Sequence, residues 1–196
     1  MQKFSNTVLS ACAIGAFGIL AACSPRNEQP TDTLATTPPA PAVTPTTGDA
    51  AWTDANVVDV ITVANQGEVD YSQIGVEKAT SPAVKEYAQL MVKDHGTMLE
   101  GVKALATRLN IMPAANDKAN QLKEEVAKDI NDLTAKTGKD FDKEFMEEQI
   151  DMHQETLDLL TDLDGRTTNA DLKAAIAEAK PKVQAHLDQA KAVKLD

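Results

Sequence analysis

His95, His153 and His186 are the three histidines of a 196-residue chain, and each falls on the apolar stripe of a different helical segment. Glu68 falls near the stripe of a further segment. Imidazole and carboxylate donors on the inner faces of separate helices are the set from which a helical bundle builds a site for zinc, iron or copper. Asp94, next to His95, adds a carboxylate able to orient a ligand ring from outside the first set of donors. Carboxylate-bridged di-iron chemistry is not provided for. That chemistry takes Glu-x-x-His on two helices, and Val92, Ile150 and Val183 stand three residues before the histidines here.

The other reading of the same residues keeps each histidine neutral and hydrogen-bonded in the core, with Glu68 and His95 pairing across the first hairpin. The two readings part on one geometric test. A metal needs at least three donors converging on a point about 2.0–2.2 Å from each. Met91 and Met98, one helical stripe apart, read as core filling rather than as soft-metal ligands.

Little else in the chain points to catalysis. There is no Gly-x-Ser-x-Gly elbow, no phosphate-binding loop, no His-Glu-x-x-His and no Cys-x-x-Cys. Acidic pairs such as Glu124-Glu125 and Glu147-Glu148 read as solvated helix faces. A net charge of −11, without a basic run to offset it and with few aromatic residues, excludes nucleic acid as a partner. No organic cofactor is indicated.

The elements that must position these side chains are helices. From Thr53 to Ala79, Val57, Ile61, Ala64, Glu68, Tyr71 and Gly75 recur three or four apart. Ser81-Pro82 ends that helix and caps the next, which runs to Leu109 with Val84, Ala88, Met91, His95, Met98, Val102 and Leu105 inward; Pro113 marks the break after it. A more polar helix spans Asn116 to Lys136, and Gly138 closes it. The next spans Asp140 to Asp164 with Ile150, His153, Leu157 and Leu160 inward, and Gly165 stops it. Thr168 with Asp171 reads as the cap of a last helix that reaches Lys194, which Pro181 should kink.

Four long helices and one narrow polar helix between the second and fourth describe an all-α fold: two helical hairpins joined by a crossover, that is, a four-helix bundle with an additional crossover helix. Counting at 1.5 Å per residue, Glu68 and His95 both stand about 18–21 Å from the first turn. A crossover makes the second and fourth helices parallel, which brings His153 to the same level and His186 to within a turn or two of it.

Ahead of the bundle the chain changes character. Lys3, the apolar stretch Val8–Leu20 and the run Leu20-Ala21-Ala22-Cys23 form a lipoprotein export signal over residues 1–22, with Cys23 as the lipid-bearing first residue of the mature protein. The apolar stretch is shorter than the roughly 20 residues needed to span a bilayer. Cys12 leaves with the signal, so the mature chain has one cysteine, blocked by lipid, and neither a disulfide nor thiol chemistry is available to it. The rest of 23–51 is Pro-, Thr- and Ala-rich and too poor in large apolar groups to fold, and it reads as a disordered tether reaching about 30 Å as a coil and about 80 Å extended. Residues 52–196 are the bundle. Ser24 after the lipidated cysteine favours the outer membrane in a Gram-negative envelope, the bundle facing the periplasm.

Gly67-Glu68-Val69, Met91-Val92-Lys93-Asp94-His95, Phe141-Asp142 through Gln149 to His153-Gln154, and Pro181 with His186-Leu187 resemble the bacterial envelope family called domain of unknown function 4142, over nearly all of residues 52–194. The resemblance implies a ferritin-like helical bundle, often on secreted or lipid-anchored proteins, and no established activity. The function expected is therefore a lipid-anchored, non-enzymatic envelope module, an interaction or stress-related bundle with an envelope protein as partner. The alternative is a metal-binding bundle that uses Glu68, His95, His153 and His186. Redox enzyme chemistry ranks last.

Overall fold

The computed structural model describes residues 51–195; the export signal, Cys23 and most of the tether lie outside the described residues. Five helices follow in order: α1 (Asp54–Lys78), α2 (Pro82–Leu109), α3 (Asp117–Thr134), α4 (Gly138–Arg166) and α5 (Ala170–Ala192). No strand occurs among the described residues, and no helix there is long and apolar enough to cross a membrane. The architecture is the expected all-α one, with α1/α2 and α4/α5 as the two hairpins and α3 as the crossover.

Several helix ends are set by residues other than those the local pattern suggests. Thr53 and Asn56 cap α1 reciprocally, each side chain accepting from the other's backbone N–H. At α2, Ser81 occupies the cap position without a side-chain bond. The amides of Thr80 and Ser81 instead donate to the two carboxylate oxygens of Asp142 on α4, each at 2.8 Å. The helix stops at Asn110, before Pro113, because Asn110 takes a left-handed conformation (φ 55°) that asparagine tolerates. The Ile111 amide then reaches back to the Ala106 carbonyl.

Gly138 does not close α3. It is the first residue of α4, where its φ of +60° turns the chain. Gly165 is likewise inside α4, which runs on to Arg166. The cap of α5 is Asn169, whose side chain accepts from Asp171 and Leu172, in place of Thr168. Pro181 lies within α5, and the helix continues through it to His186 and beyond.

Long-range polar contacts fix the direction of each helix. The Thr167 hydroxyl, after α4, bonds Asp54 at the start of α1. Arg108, at the end of α2, pairs with Asp171 at the start of α5. Lys78, ending α1, donates to the Thr134 carbonyl ending α3. Taken with Asp142 at the start of α2, these contacts make α2 and α4 parallel, as a crossover requires.

The core divides into two apolar clusters. One lies near the α1–α2 turn and contains Tyr71, Tyr87, Met91, Leu133, Phe141 and Phe145. The other lies toward the opposite end and contains Val57, Val60, Leu99, Val102, Leu160, Leu163, Leu172 and Ile176. Between them sits a buried polar layer of Glu68, His95, Gln149, His153 and His186.

Candidate metal centre

The helical stripes carry His95 on α2, His153 on α4 and His186 on α5 into that layer, where they are 2%, 0% and 3% exposed. Their ring centroids are 5.2 Å apart for His95 and His186, and 5.5 Å for the other two pairs. One ring nitrogen from each histidine lies within 4.8 Å of the other two.

Each ring has one nitrogen engaged by an oxygen. His95 Nδ1 is 3.1 Å from Asn65 Oδ1, His153 Nδ1 is 2.7 Å from the Gln149 carbonyl, and His186 Nε2 is 3.1 Å from Asp94 Oδ2. Amide and carboxylate oxygens only accept, so the facing nitrogen carries the proton in all three rings. The Asn65 amide is itself oriented by donation of its Nδ2 to the Ile61 carbonyl.

The second nitrogen of each ring is therefore a bare lone pair. His95 Nε2, His153 Nε2 and His186 Nδ1 are all buried and have no hydrogen-bond partner among the described residues. A buried acceptor left unpaired costs about 1–3 kcal/mol, and five occur in this layer, the three ring nitrogens together with Glu68 Oε1 and Gln149 Oε1. Burial also pushes the His95 imidazolium down to a pKa of about 4, against partial compensation from Glu68, and burial lowers His186 in spite of its bond to Asp94. A proton is thus a poor occupant of the His95 and His186 lone pairs at neutral pH. A transition-metal ion suits them, because it takes neutral imidazole and its ligands commonly donate their other N–H to an oxygen. A tetrahedral ion at about 2.1 Å from each donor sets neighbouring nitrogens about 3.4 Å apart, and the three ring nitrogens lie within 4.8 Å of one another.

Of the expected four residues, the three histidines form the cluster and Glu68 lies beside it. Its Oε2 accepts from Gln149 Nε2 at 3.0 Å, and its Oε1 is 3.7 Å from His153 Nδ1, the protonated edge of that ring. Gln149 and His153 on α4 thus hold the carboxylate, and the group whose ligand atoms lie within 4.8 Å of one another consists of the three histidines. The expected pairing of Glu68 with His95 is corrected, since Asn65, one turn earlier on α1, hydrogen-bonds His95. Asp94 stands where an orienting carboxylate was expected, against His186 on the neighbouring helix.

Asn65, Gln149 and Tyr87 are members of the site that the sequence reading lacks. Tyr87 sets its ring edge-on to His153 and donates its hydroxyl to the His186 carbonyl. A signal for the first two was available: Asn65 lies three residues before Glu68, and Gln149 four before His153, so each shares a helix face with a residue already singled out.

The family model described as Domain of unknown function (DUF4142) matches residues 37–193. The chain belongs to the DUF4142 family. No curated protein matches it by sequence. Among solved structures, the DUF4142 bundle is similar to CopM in its Ag-bound form, with 19% identity, a TM-score of 0.56 and coverage of 72% of this chain and 94% of that one. CopM in its Cu(I)-bound form gives 20% identity, a TM-score of 0.55 and coverage of 71% and 94%. A DUF305 protein from Streptomyces coelicolor gives 12% identity, a TM-score of 0.60 and coverage of 70% and 88%. At these identities the likeness is one of fold, and it agrees with the helical bundle.

Proposed function

We propose that this protein is a non-enzymatic, envelope-tethered bundle that holds one transition-metal ion on His95, His153 and His186. The observation that carries the proposal is a buried cluster of three histidines, one ring nitrogen of each within 4.8 Å of the other two, in which every ring has one nitrogen against an oxygen acceptor and the other without a partner. The geometry moves the metal reading ahead of a bundle with an interaction role alone. Neutral imidazole suits copper, zinc, iron and nickel. Copper is the first to test, because the similar CopM bundle has been solved with Cu(I), Cu(II) and Ag bound. Asp94 and Asn65 orient two of the rings, and Glu68 supplies a nearby negative charge that favours a cation. Anchoring through lipid on Cys23, on the periplasmic face of the outer membrane in a Gram-negative cell, completes the reading.

Elemental analysis of the purified full-length protein after loading with Cu(I) or Zn(II) and gel filtration tests the centre. One equivalent of metal per chain, lost in His153→Ala and weakened about 10- to 100-fold in Asp94→Asn, is the expected result. Metal-free wild type, or equal retention by His153→Ala, overturns it. Metabolic labelling with a fatty acid tests the anchor: label should appear in the wild type and be absent from Cys23→Ser.

A further inference from the structure

A cavity of about 470 Å³ lies between the two hairpins on the side of the histidine layer away from the α1–α2 turn. It exists because small residues stand where α1, α2 and α5 face one another: Ala64, Gly101, Ala175 and Ala179 leave volume that larger side chains would fill. Its size falls in the range of small-molecule sites. From the level of His95 to that of Arg108 it follows α2 for 13 residues, on the order of 20 Å. Aliphatic side chains such as Val102, Leu160, Leu163 and Ile176 line its length.

The two ends differ. At the outer end, Arg108 and Asp171 neutralise each other in an ion pair at 2.8 Å. Toward the inner end stand His95 and the buried Glu68, 3% exposed, whose Oε1 is 3.7 Å from His153 Nδ1, with the exposed Lys182 and Glu178 of α5 also lining the cavity as an opposite-charge couple. An apolar cavity with a buried carboxylate among its lining residues favours a ligand with a cationic hydrogen-bond donor at the tip of a hydrocarbon tail. A fatty acid would set its own carboxylate against Glu68. The net charge of −11 also favours a cation over an anion at the entrance.

We propose that this cavity binds a linear aliphatic amine, with the tail among the α1, α2, α4 and α5 side chains and the ammonium group donating to Glu68. The site adjoins the histidine layer, since Glu68 and His95 line the cavity, and excess chelator in the test keeps amine binding apart from metal binding. Calorimetric titration of the full-length protein with dodecylamine, in excess chelator and at 0.3 M salt (about three times the 0.1 M ionic strength at which the screening length is about 10 Å), provides the test, with octylamine and dodecanoic acid as comparison ligands.

One dodecylamine should bind per chain, at least tenfold more tightly than dodecanoic acid, and the affinity should rise by about fourfold per methylene from octylamine upward. Ala179→Phe should abolish binding by filling the cavity. Ala175→Leu is a milder filler on the same helix that should weaken it if the first variant does not fold. Glu68→Gln should erase the preference for amine over acid while leaving the tail-length dependence. Weak binding of many amines per chain that the filled variants retain, an equal or greater affinity for the acid, or no binding at all, overturns the proposal.

Discussion

Between the histidine layer and the α1–α2 turn the core is made of stacked aromatic rings in tight contact, whereas between that layer and the other end it is made of aliphatic chains around a cavity. On the tight side, Tyr71 and Phe145 stack at 5.5 Å with their planes 11° apart, and Phe141 stacks on Phe145 at 6.3 Å. Gly75 lets α1 approach so closely that a Cβ there would meet Phe145 at 2.5 Å and Ala88 at 2.9 Å. On the other side, Gly101 is solvent-exposed where it lines the cavity, with nothing within 4 Å of the corresponding Cβ. The contrast assigns the two halves different work. The aromatic half, clamped by Asp142 at the start of α2, packs directly under the layer that holds the three histidines. The aliphatic half leaves an approach to the same layer, since Glu68 and His95 line the cavity as well as the polar layer.

The largest break in this comparison should come from Phe145→Ala. The ring is fully buried and sandwiched between Tyr71 and Phe141, so its loss should cost about 4 kcal/mol in chemical denaturation. Leu163→Ala, equally buried but on the wall of the existing cavity, removes a side chain with fewer close neighbours to lose, and should cost about 2 kcal/mol. Equal losses would mean that the two halves are packed alike. Metal retention should follow the same order, with Phe145→Ala loosening the histidine layer more.

The layer between the halves provides the next test, through pH. His95 is neutral in the fold down to about pH 4, whereas in the unfolded chain it takes up a proton near its ordinary value of 6.5. Between those two values the unfolded chain binds more protons, so stability falls as pH falls through that window and is unaffected by this group above it. The full shift corresponds to on the order of 3 kcal/mol. Denaturation of apo wild type and His95→Gln at a series of pH values should show the wild type losing stability more steeply from pH 6.5 to 4. Parallel curves would show that His95 is not held neutral by its surroundings.

Much of this organisation is legible in the sequence, for a physical reason. Helical period, Ser81-Pro82 and the regular rise per residue are local properties, and they suffice to order the helices and to bring His95, His153 and His186 to one level. The placement of Glu68 is not local. Its rotamer is decided by Gln149 and His153 on a helix some eighty residues away, and helical spacing carries no information on that choice. The start of α2 is held by Asp142 on another helix for the same reason. Gly138 shows a subtler limit: a glycine between two helices serves equally as the end of one or the beginning of the next, and only its φ of +60° at the first turn of α4 tells which. The cavity was not foreseeable at all, because a void is set by the summed volumes of side chains on four helices.

Gly75→Ala sharpens the comparison at a single methyl group. The added carbon would overlap the Phe145 ring and the Ala88 methyl, and with both neighbours fully buried there is little slack to absorb it. The gain in helix propensity, about 1 kcal/mol, should be outweighed, for a net loss of about 1–2 kcal/mol.

Gly101→Ala makes the same chemical change on the other half and should have the smallest effect, with the opposite sign. The new methyl meets nothing within 4 Å, and position 101 is in the interior of α2, where glycine is disfavoured by its backbone entropy. The variant should therefore be stabilised by about 0.5–1 kcal/mol, which for a domain of this size is a rise of about 2–3 °C in thermal midpoint. Since one methyl group is too small to fill the cavity, dodecylamine binding and metal retention should both remain at wild-type levels. A stabilised Gly101→Ala that retains both, beside a destabilised Gly75→Ala, would mean that the slack in the aliphatic half is tolerated by the fold and is not needed by the histidine layer. A Gly101→Ala that is destabilised would instead place α2 closer to α5 than the open cavity allows.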